Sequence, residues 1–207
     1  MLAREFGVSR ATLREALRLL GAENLIRTAK GAGGGSFVTV PSADHLSDSL
    51  RSGLGRLAVS EHLTLEELLE ARELLEVPAA RLAARRRAEE DVARLRESIP
   101  GDPLRLGTQE QFVYNRDFHA VVIEACGNTM LSIAAQPIFQ VLQTHLSRSK
   151  LGREWHRAIN QHHRSIAAAI EAGDEDAAGG EMYDHLEYLR PFYEKAWRTV
   201  RRTRVRA

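Results

Sequence analysis

The chain has 207 residues, 43% of them hydrophobic and 28% charged, with a net charge of +1. That length holds one moderate domain or two small ones, and the near-neutral balance excludes a polycation. A single cysteine, Cys126, excludes an intrachain disulfide and fits a reducing compartment. No apolar run reaches membrane-spanning length and no signal peptide precedes Leu2, so a soluble, cytoplasmic protein without a membrane partner is expected.

Charge is spread unevenly. Residues 1–40 carry Arg4, Arg10, Arg14, Arg18, Arg27 and Lys30 against Glu5, Glu15 and Glu23, a net of +3. The tail from Lys195 to Arg206 has six basic residues and no acid.

In chain order, Leu2, Ala3 and Phe6 give a first short helix an apolar side. Gly7 breaks it and can supply the positive φ of a sharp turn. Val8 plugs the turn, and Ser9 is a good N-cap for the next helix. Leu13, Ala16, Leu17 and Leu20 then recur at three- and four-residue spacing, which predicts one buried stripe. Arg10, Thr12, Arg14 and Arg18 lie largely off it. An apolar back with arginines near the N-terminal end suits the DNA major groove. Two β-prone runs follow, Leu25–Thr28 and Ser36–Val40, joined by Ala29-Lys-Gly-Ala-Gly-Gly-Gly35. They read as a hairpin whose glycine-rich tip can approach phosphates closely, with Arg27 and Lys30 adding charge. The bland alternative is a surface pair of helices with solvated arginines; the order of turn, basic helix and hairpin favours DNA.

The run V-S-R-x-x-L-R-E-A-L-R-x-L from Val8, followed by the glycine-rich hairpin, resembles the winged helix-turn-helix of the GntR family of bacterial regulators. The resemblance implies that Ser9, Arg10, Thr12 and Arg14 face operator DNA, with Lys30 beside a wing tip at Gly33 and Gly34. The family carries a further helix and short strand before this point. The chain begins inside the motif, so a late start or a fragment is expected, with apolar surface left uncovered.

From Pro41 onward helical periodicity dominates. Ser42 or Asp44 caps a new helix, and helices are predicted at 44–58, 64–86, 89–98, 108–126, 129–149, 153–172 and 174–204, separated by glycine- and proline-marked breaks. No strand pattern follows Val40. The fold class is therefore mainly α: a winged helix-turn-helix over 1–41, lacking its first helix, then an antiparallel all-helical bundle over 42–207. Thr64 with Glu67 forms a capping box. Leu65, Leu68, Leu69, Leu75 and Leu82 predict a core stripe. Pro78 and Pro137 predict kinks or breaks, and the arginines ending Ala83–Arg87 suit a helix C-terminus.

The histidines form a second constellation. Asn115 and His119 are four residues apart and share a helix face. His163 lies ten residues before Gly173 and His185 twelve after it. In antiparallel helices, at about 1.5 Å of rise per residue, they reach nearly the same height. Three imidazoles and an oxygen donor suit a divalent transition metal, zinc or nickel; separately buried, hydrogen-bonded histidines are the alternative. His145, His156 and His162 fit that alternative better, and His62 falls in a loop.

Residues 64–190 resemble the FCD ligand-binding domain of the FadR subfamily. The matching pieces are Glu70–Ala84, Asn115-x-x-Phe-His119 with Cys126-Gly-Asn128, His163-x-x-Ile-x-x-Ala-Ile170 with Gly173-Asp174, and Met182-x-x-His185. In that family an aspartate and three histidines hold the metal. The histidines map to His119, His163 and His185, and the aspartate to Asn115, which brings a neutral carbonyl instead of a charge. Asp117 points off that face. The resemblance implies that the metal captures a small carboxylate effector. Arg72 could be a second anchor for it, or could simply pair with Glu70, Glu73 or Glu76. The expected function is a homodimeric transcription regulator that reads a palindromic operator under effector control. The alternatives are a metal-dependent hydrolase, against which stands the lack of an HExxH-type motif, and an effector-binding bundle with impaired DNA binding.

Overall fold

The computed structural model describes residues 2–31, 33–60, 62–145 and 152–204. The chain divides into two compact units, Met1–Leu46 and Ser47–Ala207.

The first unit contains α1 (Leu2–Glu5), α2 (Arg10–Ala22), β1 (Ile26–Ala29) and β2 (Gly35–Val38). Gly7 turns the chain between the helices at φ +64°. Ser9 caps α2, its Oγ accepting from the Thr12 backbone N at 3.0 Å. β1 and β2 pair antiparallel from Ile26 opposite Val38 to Ala29 opposite Gly35. Gly34 N donates to Gly31 O at 2.9 Å. A Cβ at Gly34 would run into the carbonyl oxygens of Ala29 and Gly31, so this turn requires glycine. The predicted buried stripe on α2 is only partly covered. Leu13 and Leu17 are half-buried, while Ala16 and Leu20 are exposed, because α2 packs mainly on the short α1 and β1.

The helical series continues with α3 (Ala43–Val59), α4 (Leu65–Arg86), α5 (Glu89–Glu97), a 3₁₀ turn at Pro103–Arg105, α6 (Thr108–Ala125), α7 (Thr129–His145), α8 (Arg153–Ala172) and α9 (Glu175–Arg204). The expected extension of α7 to 149 lies outside the described residues, as do the side chains of His145 and of the basic tail from 198 on. The capping box is formed: Glu67 N donates to Thr64 Oγ1 at 3.2 Å and Thr64 N to Glu67 Oε2 at 2.8 Å. Gly127 and Gly173 end α6 and α8 in the left-handed region, at φ +61° and +77°. Arginines at the end of α4 satisfy carbonyls at these ends. Arg86 donates to Cys126 O at 2.8 Å and Arg87 to Glu171 O at 3.0 Å, while Arg87 also donates to Ala84 O at 2.8 Å in the last turn of α4 itself.

No break occurs at Pro78 or Pro137; α4 and α7 run through both. At Pro78 the reason is exposure. Pro78 and Leu74, whose carbonyl loses its partner, both lie on the exposed face of α4, which leaves the freed group open to solvation.

Two apolar clusters fill most of the bundle. One joins Ala80, Ala83, Phe118, Ile166, Met182 and Leu186; the other joins Leu65, Leu69, Leu142, Trp155, Leu189 and Tyr193. Between them along α4, α6, α8 and α9 lie Arg72, Glu76, Asn115, His119, His163 and His185, every one buried. A polar layer thus crosses the middle of the core.

Candidate functional site

The layer is built from one turn of each of four helices. α6 carries Asn115 and His119, α8 carries His163, α9 carries His185, and α4 supplies Arg72 and Glu76. One ligand nitrogen from each of His119, His163 and His185 lies within 4.8 Å of the others. His119 Nε2 and His185 Nε2 are 3.2 Å apart. Phe118 stacks on His163 with ring centroids 3.9 Å apart and planes at 10°, which fixes that imidazole. Phe139 on α7 lies 4.5 Å from His119, centroid to centroid, and faces the Arg72 guanidinium at 4.9 Å.

Glu76 organises this cluster. Its Oε2 accepts from His119 Nδ1 at 2.6 Å, and its Oε1 accepts from Arg72 Nε at 2.6 Å. Burial raises the Glu76 carboxyl, but the Arg72 guanidinium and the His119 imidazole outweigh it and hold the pKa down to about 2. Glu76 is therefore an anion, and His119 Nδ1 keeps its proton. With Nδ1 bonded to that carboxylate, Nε2 is the His119 nitrogen that faces the cluster. Burial first, then the His163, His119 and Arg72 charges, push His185 well below the ordinary histidine value. A neutral His185 is the form that can ligate a metal.

The residues present fit a divalent cation. Three imidazoles converge, and one is oriented by a carboxylate, the outer-shell arrangement of histidine metal sites. Asn115, one turn before His119, is 6% exposed, and neither of its amide atoms has a hydrogen-bond partner. Its Oδ1 is a donor atom in search of a partner. Asp117 instead pairs with Arg116 at 2.7 Å. His162 is half-buried, its ring 5.6 Å from that of His185 and 5.1 Å from Tyr188. His62 is exposed.

Arg72 sits inside the layer and makes the ion pair expected of it, with Glu76. Its Nη1 donates to Tyr193 Oη at 3.1 Å, and its Nη2 lies 3.2 Å from His119 Nε2. Glu76 as the anchor of His119, and the aromatic walls Phe118, Phe139 and Tyr193, were not legible in local spacing. The available signal was a charged pair four residues apart on an otherwise apolar helix face. A small pocket between α4 and α9 reaches Arg72, lined also by Leu69, Glu73, Leu186, Glu187 and Arg190. Its volume, about 10 Å³, admits little more than a water molecule. Arg190 closes it, held by Glu187 at 2.8 Å and Glu66 at 3.0 Å.

In the first unit, Arg10 and Arg14 lie one turn apart, exposed, at the start of α2, and neither enters an ion pair among the described residues. Ser9 and Thr12 are drawn together by the cap, their hydroxyl oxygens 2.8 Å apart. Arg18 is tied to Glu15 at 2.7 Å. Lys30, Gly33 and Gly34 form the exposed hairpin tip, and Arg27 lies over the Phe37 ring at 5.6 Å.

Comparisons with known proteins agree with this division. Residues 1–38 match the gntR family of bacterial regulatory proteins, and residues 67–188 match the FCD domain. The Uxu operon transcriptional regulator of Escherichia coli K12 is 30% identical over 203 residues, covering 91% of this chain and 74% of that protein. The Uxu operon regulator of Haemophilus influenzae is 27% identical, covering 91% and 70%. The solved structure of Streptococcus agalactiae GntR is similar with a TM-score of 0.62 and 25% identity, covering 92% of this chain and 85% of that one. These families and relatives are transcriptional regulators, not enzymes, which removes the hydrolase reading. Among the described residues, no helix is long and apolar enough to cross a membrane.

Proposed function

Because the chain belongs to the GntR family of transcriptional regulators and carries an FCD domain, we propose that its helical unit senses a small carboxylate and that this controls operator binding. The observation that carries the reading is the buried layer itself, where three imidazoles lie within 4.8 Å of one another beside a buried guanidinium. Asn115, His119, His163 and His185 would hold a divalent transition metal, zinc or nickel. Bound there, the metal would offer open positions to a carboxylate oxygen. The chain's residues do the rest. Glu76 keeps the His119 proton on Nδ1, Phe118 holds the His163 ring, and Arg72 presents guanidinium N–H groups to an anion.

The pocket at Arg72 is about the size of a water molecule, so a larger ligand must part α4 from α9 and loosen Arg190 from Glu66 and Glu187. Ligand affinity then differs between the closed and opened bundles, which is what a coupled switch requires. Arg10 and Arg14 on α2, with the hairpin tip, contact operator DNA. Two such heads on a homodimer read a palindromic site, since one helix-turn-helix spans too few base pairs for tight binding.

The test is a gel shift on the chain's own upstream DNA, with Ni²⁺ or Zn²⁺, against acetate, L-lactate and D-gluconate, for wild type and His163→Ala. At least one acid should change the wild-type shift, and His163→Ala should not respond. An equal response in both proteins overturns the site. Light scattering checks the assembly: a mass near 23.1 kDa would refute the dimer.

A further inference from the structure

The polar layer extends beyond the histidines. α6 and α7 run antiparallel about the turn at Gly127, and their packing steps in register. Ile123 and Ala135 share one apolar cluster. Four residues along each helix, His119 and Phe139 touch with centroids 4.5 Å apart. Four residues further stand Asn115 and Gln143, 6% and 3% exposed. All four side-chain amide atoms of this pair are buried without a hydrogen-bond partner. One unpaired amide in a core is unfavourable; two at the same height on neighbouring helices mark a place built to be occupied. The neighbours of Gln143 in the chain, Val141 and Leu142, belong to the apolar cluster on this side of the layer, so the amides are the polar feature of that wall.

We propose that Gln143, with Asn115 beside it, reads a hydroxyl group of the bound acid, so that the effector is a hydroxylated carboxylate. This rests on the carboxylate-sensing reading above. A hydroxyl is the small group that both donates and accepts, and a primary amide offers one partner for each. The carboxylate sits at the histidines and Arg72. Gln143 lies one helical turn, about 5.4 Å, beyond that level, so the hydroxyl stands about four carbon–carbon bonds from the carboxyl group. An unsubstituted acid of the same length leaves the amides unpaired and binds less well. Asn115 serves both ends: its Oδ1 is available to the cation and its Nδ2 to the ligand hydroxyl. Gln143 is thus a specificity-determining residue, separate from the ions that hold the carboxylate.

The experiment is isothermal titration of the full chain with Ni²⁺ present, using the matched pairs 5-hydroxypentanoate with pentanoate and D-gluconate with hexanoate. Wild type should prefer the hydroxylated member of at least one pair by about tenfold or more. Gln143→Met keeps the length without the amide. It should erase that preference, bind the unsubstituted acid at least as well, and melt no lower than wild type. Gln143→Leu gives the same readout should the methionine variant fail to fold. Retained preference in the variants overturns the assignment of Gln143. Equal wild-type affinity within both pairs removes the hydroxyl subsite and leaves carboxylate sensing standing. No binding of any of the four acids removes both.

Discussion

Replacing Glu76 by glutamine keeps the side chain's shape and removes its charge. Glu76 is 1% exposed and bonded to both Arg72 and His119 at 2.6 Å. Its carboxyl is held at about 2 instead of its ordinary 4.5. At about 1.4 kcal/mol per pH unit, the folded state favours the ionised form by about 3 kcal/mol. Breaking a buried ion pair from one side gives a similar figure, about 3–5 kcal/mol, because the surviving charge is left buried without its partner. Arg72 would retain only neutral acceptors, the amide oxygen at position 76 and Tyr193 Oη, with His119 Nε2 nearby. Glu76→Gln should therefore lose about 3 kcal/mol of unfolding free energy at pH 7, measured by urea denaturation of metal-free protein. A carboxyl with a depressed pKa stabilises fully above 4.5 and loses that contribution as pH falls toward 2. The deficit of the variant should shrink across that interval. Arg72→Met combined with Glu76→Gln should be less damaged than Glu76→Gln alone, since no isolated charge remains. A Glu76→Gln protein within about 1 kcal/mol of wild type at pH 7 would refute the reasoning.

Three further outcomes are expected. His185 is buried with its pKa well below 6.5, so the unfolded chain takes up the proton first, and metal-free wild type should lose stability as pH falls below about 6.5; His185→Gln should flatten that slope in thermal melts between pH 7.5 and 5, and parallel slopes would count against it. Asn115→Asp adds a negative charge to the candidate donor set and should tighten Ni²⁺ binding in a competition titration; unchanged affinity would place Asn115 outside the set. Arg10→Ala and Arg14→Ala should each weaken operator binding by roughly 1–3 kcal/mol if they touch base edges; fluorescence anisotropy at fixed salt checks this, and full affinity in both variants would discard the recognition helix.

Periodicity made most of the helical architecture readable. The cap at Ser9, the Thr64–Glu67 box and the positive-φ glycines Gly7, Gly127 and Gly173 appear where local chemistry demands them. The spacings of Asn115 with His119, and of His163 and His185 about Gly173, were readable because each involves one helix or one helical hairpin. The core stripe of α4 was legible only in part: Leu65, Leu68 and Leu69 are buried, and Leu75 and Leu82 pack on a third apolar cluster. Following apolar residues alone led from Leu69 to Leu75 and Leu82, which are half-buried. The buried row runs through Arg72, Glu76, Ala79, Ala80 and Ala83. A charged pair in the core looks like surface until the partner helix supplies His119. Gln143 was invisible for a related reason: its meaning depends on its level beside Asn115 on another helix, which spacing within α7 does not encode.

The charged belt across the bundle also divides the molecule mechanically. Packing that is apolar and continuous transmits order from end to end, whereas here two half-cores meet across ions and amides. The half containing Leu65, Trp155 and Leu189 also takes in Ala58 of α3, together with the partly buried Leu54, and that helix follows directly on the hairpin strand β2. Each half can breathe as its own cooperative unit, so amide exchange in α4 should differ between the turns after Ala79 and those before Arg72. A ligand spanning the belt would join the halves, so its signature would be a loss of independent opening in α3 and the first turns of α4 even without a visible shift of any helix.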